Sequence, residues 1–98
     1  MTNLEELTEQ LRTRVARAGF DRTAKFDLQG DGFICLDGAN VSNENKEADC
    51  TIILARPDLE SLIEGQVDGT SLYMSGKMRI DGDMSVAMLL QPLLSAQT

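Results

Sequence analysis

The sequence predicts an α+β domain built on one sheet, with one sheet face wet and the other packed under helices. Three observations predict it. Apolar residues recur at helical spacing over the first eighteen positions. The middle of the chain holds short β-branched runs punctuated by Asp-Gly turns. The resulting order, α-β-β-(β)-β-α-α-β-α, segregates helices from hairpin strands instead of alternating them strictly. Polar residues at Lys25/Asp27 and Lys77/Arg79 alternate with apolar neighbours, the pattern of a sheet solvated on one side.

Thr2 to Ala18 reads as an amphipathic helix, with Leu4, Leu7, Leu11, Val15 and Ala18 on its apolar face. Thr2 and Glu5 form a capping box, and Gly19 stands where a left-handed C-cap is expected. Acids Glu5, Glu6 and Glu9 precede Arg12, Arg14 and Arg17, which complements the helix dipole. Lys25–Leu28 and Phe33–Asp37 then read as a hairpin around QGDG. Ala39 to Ala48 is polar and Asn-rich, a loop with a short edge strand near Val41. CTIILA, from Cys50 to Ala55, is β-branched and reads as a central strand. Pro57 suits the first turn of a helix that Gly65 closes, with Leu59, Leu62 and Ile63 on its apolar face. Thr70 to Ser75 is one helical turn, and Lys77 to Asp81 a half-buried strand with Met78 and Ile80 on one side. Asp83 is a natural N-cap for a helix over Met84 to Gln91, which Pro92 should kink or end because it has no N–H for the Met88 carbonyl.

Ninety-eight residues make one domain, and no apolar run approaches the length that spans a membrane. The net charge is 9 − 16 = −7. Residues 1–25 carry five bases and four acids, net +1, so the remainder carries −8. That acidity excludes nucleic acid as a partner, which needs a basic stripe. The N-terminus shows no signal-peptide pattern and the terminal SAQT is no peroxisomal address, so the expected setting is cytoplasmic. Cys35 and Cys50 have neither zinc nor redox spacing and are read as buried free thiols. With no histidine, Ser-His-Asp and Cys-His catalysis and His-ligated metals are closed.

Candidate chemistry is sparse. Asp27 to Gly38 resembles a calcium loop at Asp27, Asp31 and Gly32, but Gln29 stands at position three and Gly38 where a bidentate Glu is needed, so a hairpin turn is the better reading. Asp81 and Asp83 read as turn and cap residues, with no nucleophile or base beside them. Three Arg on the first helix are compatible with transient contact with anionic membranes, although dipole complementation explains them more simply. The segment SGKMRIDGDMSVAMLLQPLL carries more information. Four of five methionines lie between Met74 and Met88, and the last helix is apolar on nearly every side. Met84, Ala87, Met88 and Leu89 either plug the core or wall a cavity against Leu59, Leu62, Ile63, Met78 and Ile80. Flexible methionine suits an adaptable wall.

The motifs ADCTI (Ala48 to Ile52) and SGK-x-x-x-x-G-x-x-x-x-A (Ser75 to Ala87), with AKFDLQGDGFICLDGA before them, resemble the sterol carrier protein type-two family. The resemblance covers nearly the whole chain. It implies a single five-stranded, mostly antiparallel sheet with helices packed on one face, enclosing a hydrophobic tunnel for a fatty acid, fatty acyl-CoA or sterol-like lipid. It implies no catalytic residue and no cofactor. By the family's pattern Phe26, Leu28, Phe33, Cys35, Cys50, Ile52 and Leu54 face inward. The implied lipid site comprises Phe26, Phe33, Ile52, Leu54, Leu59, Leu62, Ile63, Leu72, Met74, Met78, Ile80, Met84 and Met88. Ile34, Leu36 and Ile53 would then lie on the outer face, apolar enough for a homodimer contact. Longer members continue past the last helix with a segment that helps close the tunnel, which favours a single acyl chain over a sterol here. The absence of a peroxisomal ending suggests a bacterial, cytoplasmic form. The alternative is an interaction, dimerisation or accessory domain of a lipid-metabolising system, with a filled core and no ligand.

Overall fold

The hairpin decides which side of every strand faces the core. In the computed structural model, which describes residues 4–95, β1 (Thr23–Asp27) pairs antiparallel with β2 (Phe33–Asp37). The Leu28 N–H donates to the Gly32 carbonyl at 3.0 Å, so the turn proper is only Gln29–Asp31. Gln29 and Gly30 both have positive φ, 54° and 100°, the mirror-image turn that suits a twisted hairpin. The Asp27 carboxylate accepts from the Gln29 N–H at 3.0 Å and holds the turn, which is the duty its place in the calcium-like sequence disguises.

This short turn corrects the inward set expected from the sequence. Phe26 falls opposite Ile34 and Ala24 opposite Leu36, so Ile34 and Leu36 are buried with them in the core. Phe33 and Cys35 occupy the other face. A register slip of one residue exchanges the two faces of a strand, and a four-residue turn would have produced the expected arrangement. Phe33 is half-buried beneath Lys25, whose Nζ lies 5.6 Å from the ring centroid. The proposed outer apolar face thereby exchanges Ile34 and Leu36 for Phe33 and Cys35 and keeps Ile53.

β3 (Asn40–Ser42) extends the hairpin at one edge, and β4 (Cys50–Leu54) runs parallel to β1 on the other side, followed by β5 (Met78–Gly82). The strand order is β3-β2-β1-β4-β5, with β1–β4 the parallel pair and the other pairs antiparallel. Helices cover one face of this sheet: α1 (Leu4–Ala18), α2 (Arg56–Ile63), α3 (Gly69–Met74) and α4 (Met84–Ser95). Leu7, Leu11 and Val15 of α1 are fully buried, while Ala18 is exposed at the helix end. Thr2, the expected cap of α1, lies outside the described residues. The Gly19 N–H closes α1 on the Val15 carbonyl at φ 69°, as its spacing predicts.

α4 does not end at Pro92 but continues to Ser95. The cause is tertiary. Arg14 Nη1 donates to the carbonyls of Leu93 (3.2 Å) and Leu94 (2.9 Å), and its Nη2 to that of Ile63 (2.8 Å), the last residue of α2. One guanidinium therefore holds the ends of two helices whose terminal carbonyls lack intrahelical partners. Leu93 and Leu94 are buried, so packing reinforces the last turn. Among the described residues no helix is long and apolar enough to cross a membrane.

Candidate functional site

β5 supplies the floor of the candidate site. Ile80 pairs with Ile52 and Met78 with Leu54, which places these four side chains on the inner face at the sheet's β5 edge. Gly82, opposite Cys50, has φ 102°, and a Cβ there would stand 2.4 Å from the Asp49 carbonyl oxygen. That close approach lets the Asp83 N–H reach the same oxygen at 2.8 Å. The Asp83 carboxylate in turn accepts from the Ser85 N–H at 2.8 Å and caps α4. Asp83 is thus the cap that aims α4 back across the floor, whereas Asp81, expected in a turn, lies within β5 opposite Thr51.

The roof comes from α4 and α3. Met84, Ala87, Met88, Gln91 and Leu94 recur at spacings of three and four and form one stripe along α4. Thr70 and Tyr73 face it from α3, whose start is capped by Asp68 accepting from the Ser71 N–H at 2.7 Å. Gln91 Nε2 donates to Thr70 Oγ1 across the gap at 3.3 Å. With Leu62 of α2 and Gly69, these groups enclose an apolar pocket of about 170 Å³. Its rim is open: Tyr73, Met84 and Met88 are each about half or more exposed.

Of the residues expected to wall a lipid site, Ile52, Leu62, Met78, Ile80, Met84 and Met88 meet around this pocket. Phe26, Leu54, Leu59, Ile63 and Leu72 are buried in the hydrophobic core and do not line the pocket. Phe33 stands on the opposite sheet face, for the register reason given above. Met74 is 79% exposed on the outside of α3. The lining also contains Gly69, Thr70, Tyr73, Gln91 and Leu94, which were not anticipated. Gln91 and Leu94 continue the stripe begun by Met84, so their spacing carries a signal once the helix is extended past Pro92. Nothing local marks Thr70 or Tyr73, because α3 is too short to show a period.

The pocket offers contact and little else. Among the described residues no Asp, Glu, Lys or Arg lines it, and the polar groups there are a hydroxyl on Thr70, a phenol on Tyr73 and an amide on Gln91. Among the described residues no group of three or more His, Cys, Asp or Glu is placed to hold a metal ion. Cys50 lies in the core beside the α4 cap. Burial pushes its thiol above the ordinary value, and the carboxylates of Asp83 and Asp81 push it further. An inert, protonated sulfur is the result.

A five-stranded sheet roofed on one face by helices, with an uncharged apolar pocket at one end, defines a domain suited to hold a hydrophobic small molecule. The chain belongs to the SCP-2 sterol transfer family, whose model matches residues 1–95. It is 43% identical over 56 residues to sterol carrier protein 2 of Oryctolagus cuniculus, a match covering 57% of this chain and 10% of that protein. The chain thus spans about a tenth of the length of such relatives. It is 26% identical over 78 residues to a fatty acid-binding protein of Yarrowia lipolytica, covering 80% of this chain and 58% of that one. Its fold also matches the solution structure of a sterol carrier protein-2 from Aedes aegypti in complex with palmitate. There the TM-score is 0.81 at 15% identity, and all of both chains is covered.

Proposed function

We propose that this domain binds one fatty acyl chain in the pocket under α4 and carries it without chemically changing it. The observation that supports the reading best is the unfilled apolar space of about 170 Å³ between Ile52, Leu62, Ile80 and Met88, where an interaction domain would have a filled core. The Aedes aegypti relative holding palmitate and the Yarrowia lipolytica relative named for fatty acid binding support the ligand class.

The space is small. An engineered cavity of roughly 150 Å³ accommodates benzene, so a long acyl chain needs room that the rim must yield. Met84, Met88 and Tyr73 have solvent to move into, and methionine has the torsional freedom to move. Burying about 15 methylenes at ~0.8 kcal/mol each offers roughly 12 kcal/mol gross. Lost translational and rotational freedom returns at least about 4 kcal/mol of that. The remainder corresponds to an affinity in the micromolar range. Discrimination among chain lengths should be weak, since one methylene contributes so little.

The proposed setting is the cytoplasm, where the free thiols Cys35 and Cys50 stay reduced. A homodimer through the outer sheet face has less to draw on, because Ile34 and Leu36 are buried in the core and, of the two residues that take their places, Phe33 is half-buried under Lys25 and Cys35 is buried. Membrane contact through α1 is weakened in the same way. Arg12 donates to the Val41 carbonyl and to Glu9, and Arg14 to three helix-end carbonyls. The test is mass spectrometry of organic extracts of the purified protein, paired with thermal shift against dodecanoate through octadecanoate. A co-purifying acyl lipid and a rise in melting temperature are expected. An empty extract with no shift for any chain length would refute the reading.

A further inference from the structure

β5 ends the sheet, and its far edge is open. The strand order places β4 on one side of it and no described strand on the other. The opposite edge strand, β3, is only three residues long, and shortness is one way a protein blunts an edge. β5 is five residues long, pairs with β4 in unbroken register and contains neither Lys nor Pro. Met78 and Ile80 point to the inner face, and Arg79 and Asp81, both exposed, to the outer one. Across β4, Arg79 stands opposite Ile53 and Asp81 opposite Thr51, so the sheet gives neither charge a counterpart. No ion pair ties either one to another described residue. The charges are also ordered. In Lys77-Met78-Arg79-Ile80-Asp81-Gly82-Asp83 the bases precede Ile80 and the acids follow it at the same distances. An antiparallel copy of the segment centred on Ile80 therefore sets Arg79 opposite Asp81 twice, with Lys77 in line with Asp83 beyond the strand ends. A parallel copy in register would set like charges together, which destabilises a strand pair.

We propose that β5 is a self-complementary edge, along which two copies of the chain pair antiparallel about a two-fold axis at Ile80 and join their five-stranded sheets into one. Charge on an edge strand ordinarily repels a neighbouring strand. Here the order of the signs rejects most strands and accepts the strand's own copy. The two-fold axis runs perpendicular to the sheet, so both helix layers lie on the same side of the joined sheet. Ile80, half-buried at the pocket floor, then meets Ile80 of the partner subunit at about 5 Å between Cβ atoms. Met84 and Met88, which line the pocket with Ile80 and are 50% and 68% exposed, lie on that same side and extend the apolar part of the seam. Strand pairing fixes direction and register, and these side chains add apolar area that a five-residue strand lacks. The net charge of −7 on each copy opposes association, so the dimer forms as concentration rises.

Sedimentation equilibrium over a wide concentration range tests this, with urea midpoints to show that each variant folds. The wild type should pass reversibly from monomer to dimer, and amide exchange along Met78–Gly82 should slow as it does. Arg79→Asp or Asp81→Arg alone sets like charges opposite each other at two places and should weaken the dimer about tenfold. The double variant, Arg79→Asp with Asp81→Arg, reverses both signs and should recover the wild-type association, which a mere loss of folding could not do. Ile53→Ser, on the outer sheet face, should associate normally. Four results would overturn the proposal. The wild type could stay monomeric at every concentration, which would leave the edge to a different chain. Both single charge variants could dimerise as the wild type does. The double variant could fail to recover. Ile53→Ser could abolish the dimer, which would move the contact to the outer face. Association is read without any lipid present, so its outcome is independent of the acyl-binding reading.

Discussion

The two flanks of the sheet's inner face are filled in different ways. Under α1, the β3-β2-β1 side is packed with Leu7, Leu11, Val15, Phe26, Ile34 and Leu36, all without solvent exposure. Under α3 and α4, the β4–β5 side leaves Ile80 half-buried, Met84 and Met88 largely in solvent, and a pocket between them. The side chains explain much of the contrast. Branched and aromatic residues in few rotamers fill space densely, whereas Met, with three rotatable bonds, leaves a wall that can rearrange. Hydrogen bonding follows the same division. Thr8, Arg12, Arg14 and Asn43 tie α1 to β3 and the loop after it and to the ends of α2 and α4. Across the pocket mouth runs the bond between Gln91 and Thr70, 3.3 Å long and exposed. One flank is scaffold and the other is site, which separates the cost of mutation in the two places.

The largest effect belongs to the packed flank. Phe26 is fully buried and stands between Ile34 and Ile52 in the register. Phe26→Ala should destabilise the fold by about 3–5 kcal/mol, read from urea denaturation. A loss below about 1 kcal/mol would mean that this flank is as loosely packed as the other, and the contrast would break.

Next in size is the link between the flanks. Arg14→Met keeps the aliphatic stem but removes the donors to Ile63, Leu93 and Leu94. A loss of about 2–3 kcal/mol is expected, since charged hydrogen bonds to otherwise unpartnered carbonyls are among the stronger ones. Amide exchange should accelerate over the last turn of α4, which already lacks the bond that Pro92 cannot donate. Arg14→Lys should recover little, because a single ammonium cannot span three carbonyls as a guanidinium does. Full recovery by Lys would reduce the clamp to a simple charge effect.

The same comparison shows what the sequence makes legible. The scaffold flank announces itself through period, with Leu7, Leu11 and Val15 at helical spacing, and β4 of the other flank through alternation, its members Cys50, Ile52 and Leu54 being buried as read. The scaffold's hairpin register does not, because three- and four-residue turns through QGDG look alike in sequence while exchanging Phe33 and Cys35 for Ile34 and Leu36. α4's passage through Pro92 depends on Arg14, nearly eighty residues away, and no local rule contains it. The site flank is harder still. Methionine clustering marks the region, and Met78, Ile80, Met84 and Met88 do meet around the pocket. Which neighbours leave space unfilled is set by how α3 leans on α4, so Thr70 and Tyr73 carry no local signal.

On the open flank, Met88→Asp should separate binding from folding. Met88 is 68% exposed, so the substitution should cost folding less than about 1 kcal/mol, mostly helix propensity. Acyl affinity should nonetheless fall at least about tenfold, because a carboxylate on the pocket wall must be desolvated when the chain enters. Fluorescent fatty acid titration beside urea denaturation reads both. Equal losses in the two measurements would make Met88 a core residue and erase the distinction between flanks.

The smallest effect probes the seam. Cys50 lies between Ala24 of the packed flank and Gly82 at the edge of the open one. Its thiol is held above its ordinary value of 9.0, first by burial and then by Asp83 and Asp81. A raised folded value means that the native state keeps its proton at a pH where the unfolded chain has released it. The stabilisation is therefore complete below pH 9.0 and is lost as pH climbs from there through the folded value. Denaturation midpoints for the wild type should fall over that alkaline window more steeply than for Cys50→Ala, which has no proton to lose. Since Lys and Tyr titrate in the same range, only the difference between the two chains carries the Cys50 contribution. Parallel curves would mean that the seam opens to solvent in the native state and that the two flanks are not separated by a dry boundary. A difference that disappears when acyl ligand is added would instead show that filling the open flank tightens the seam.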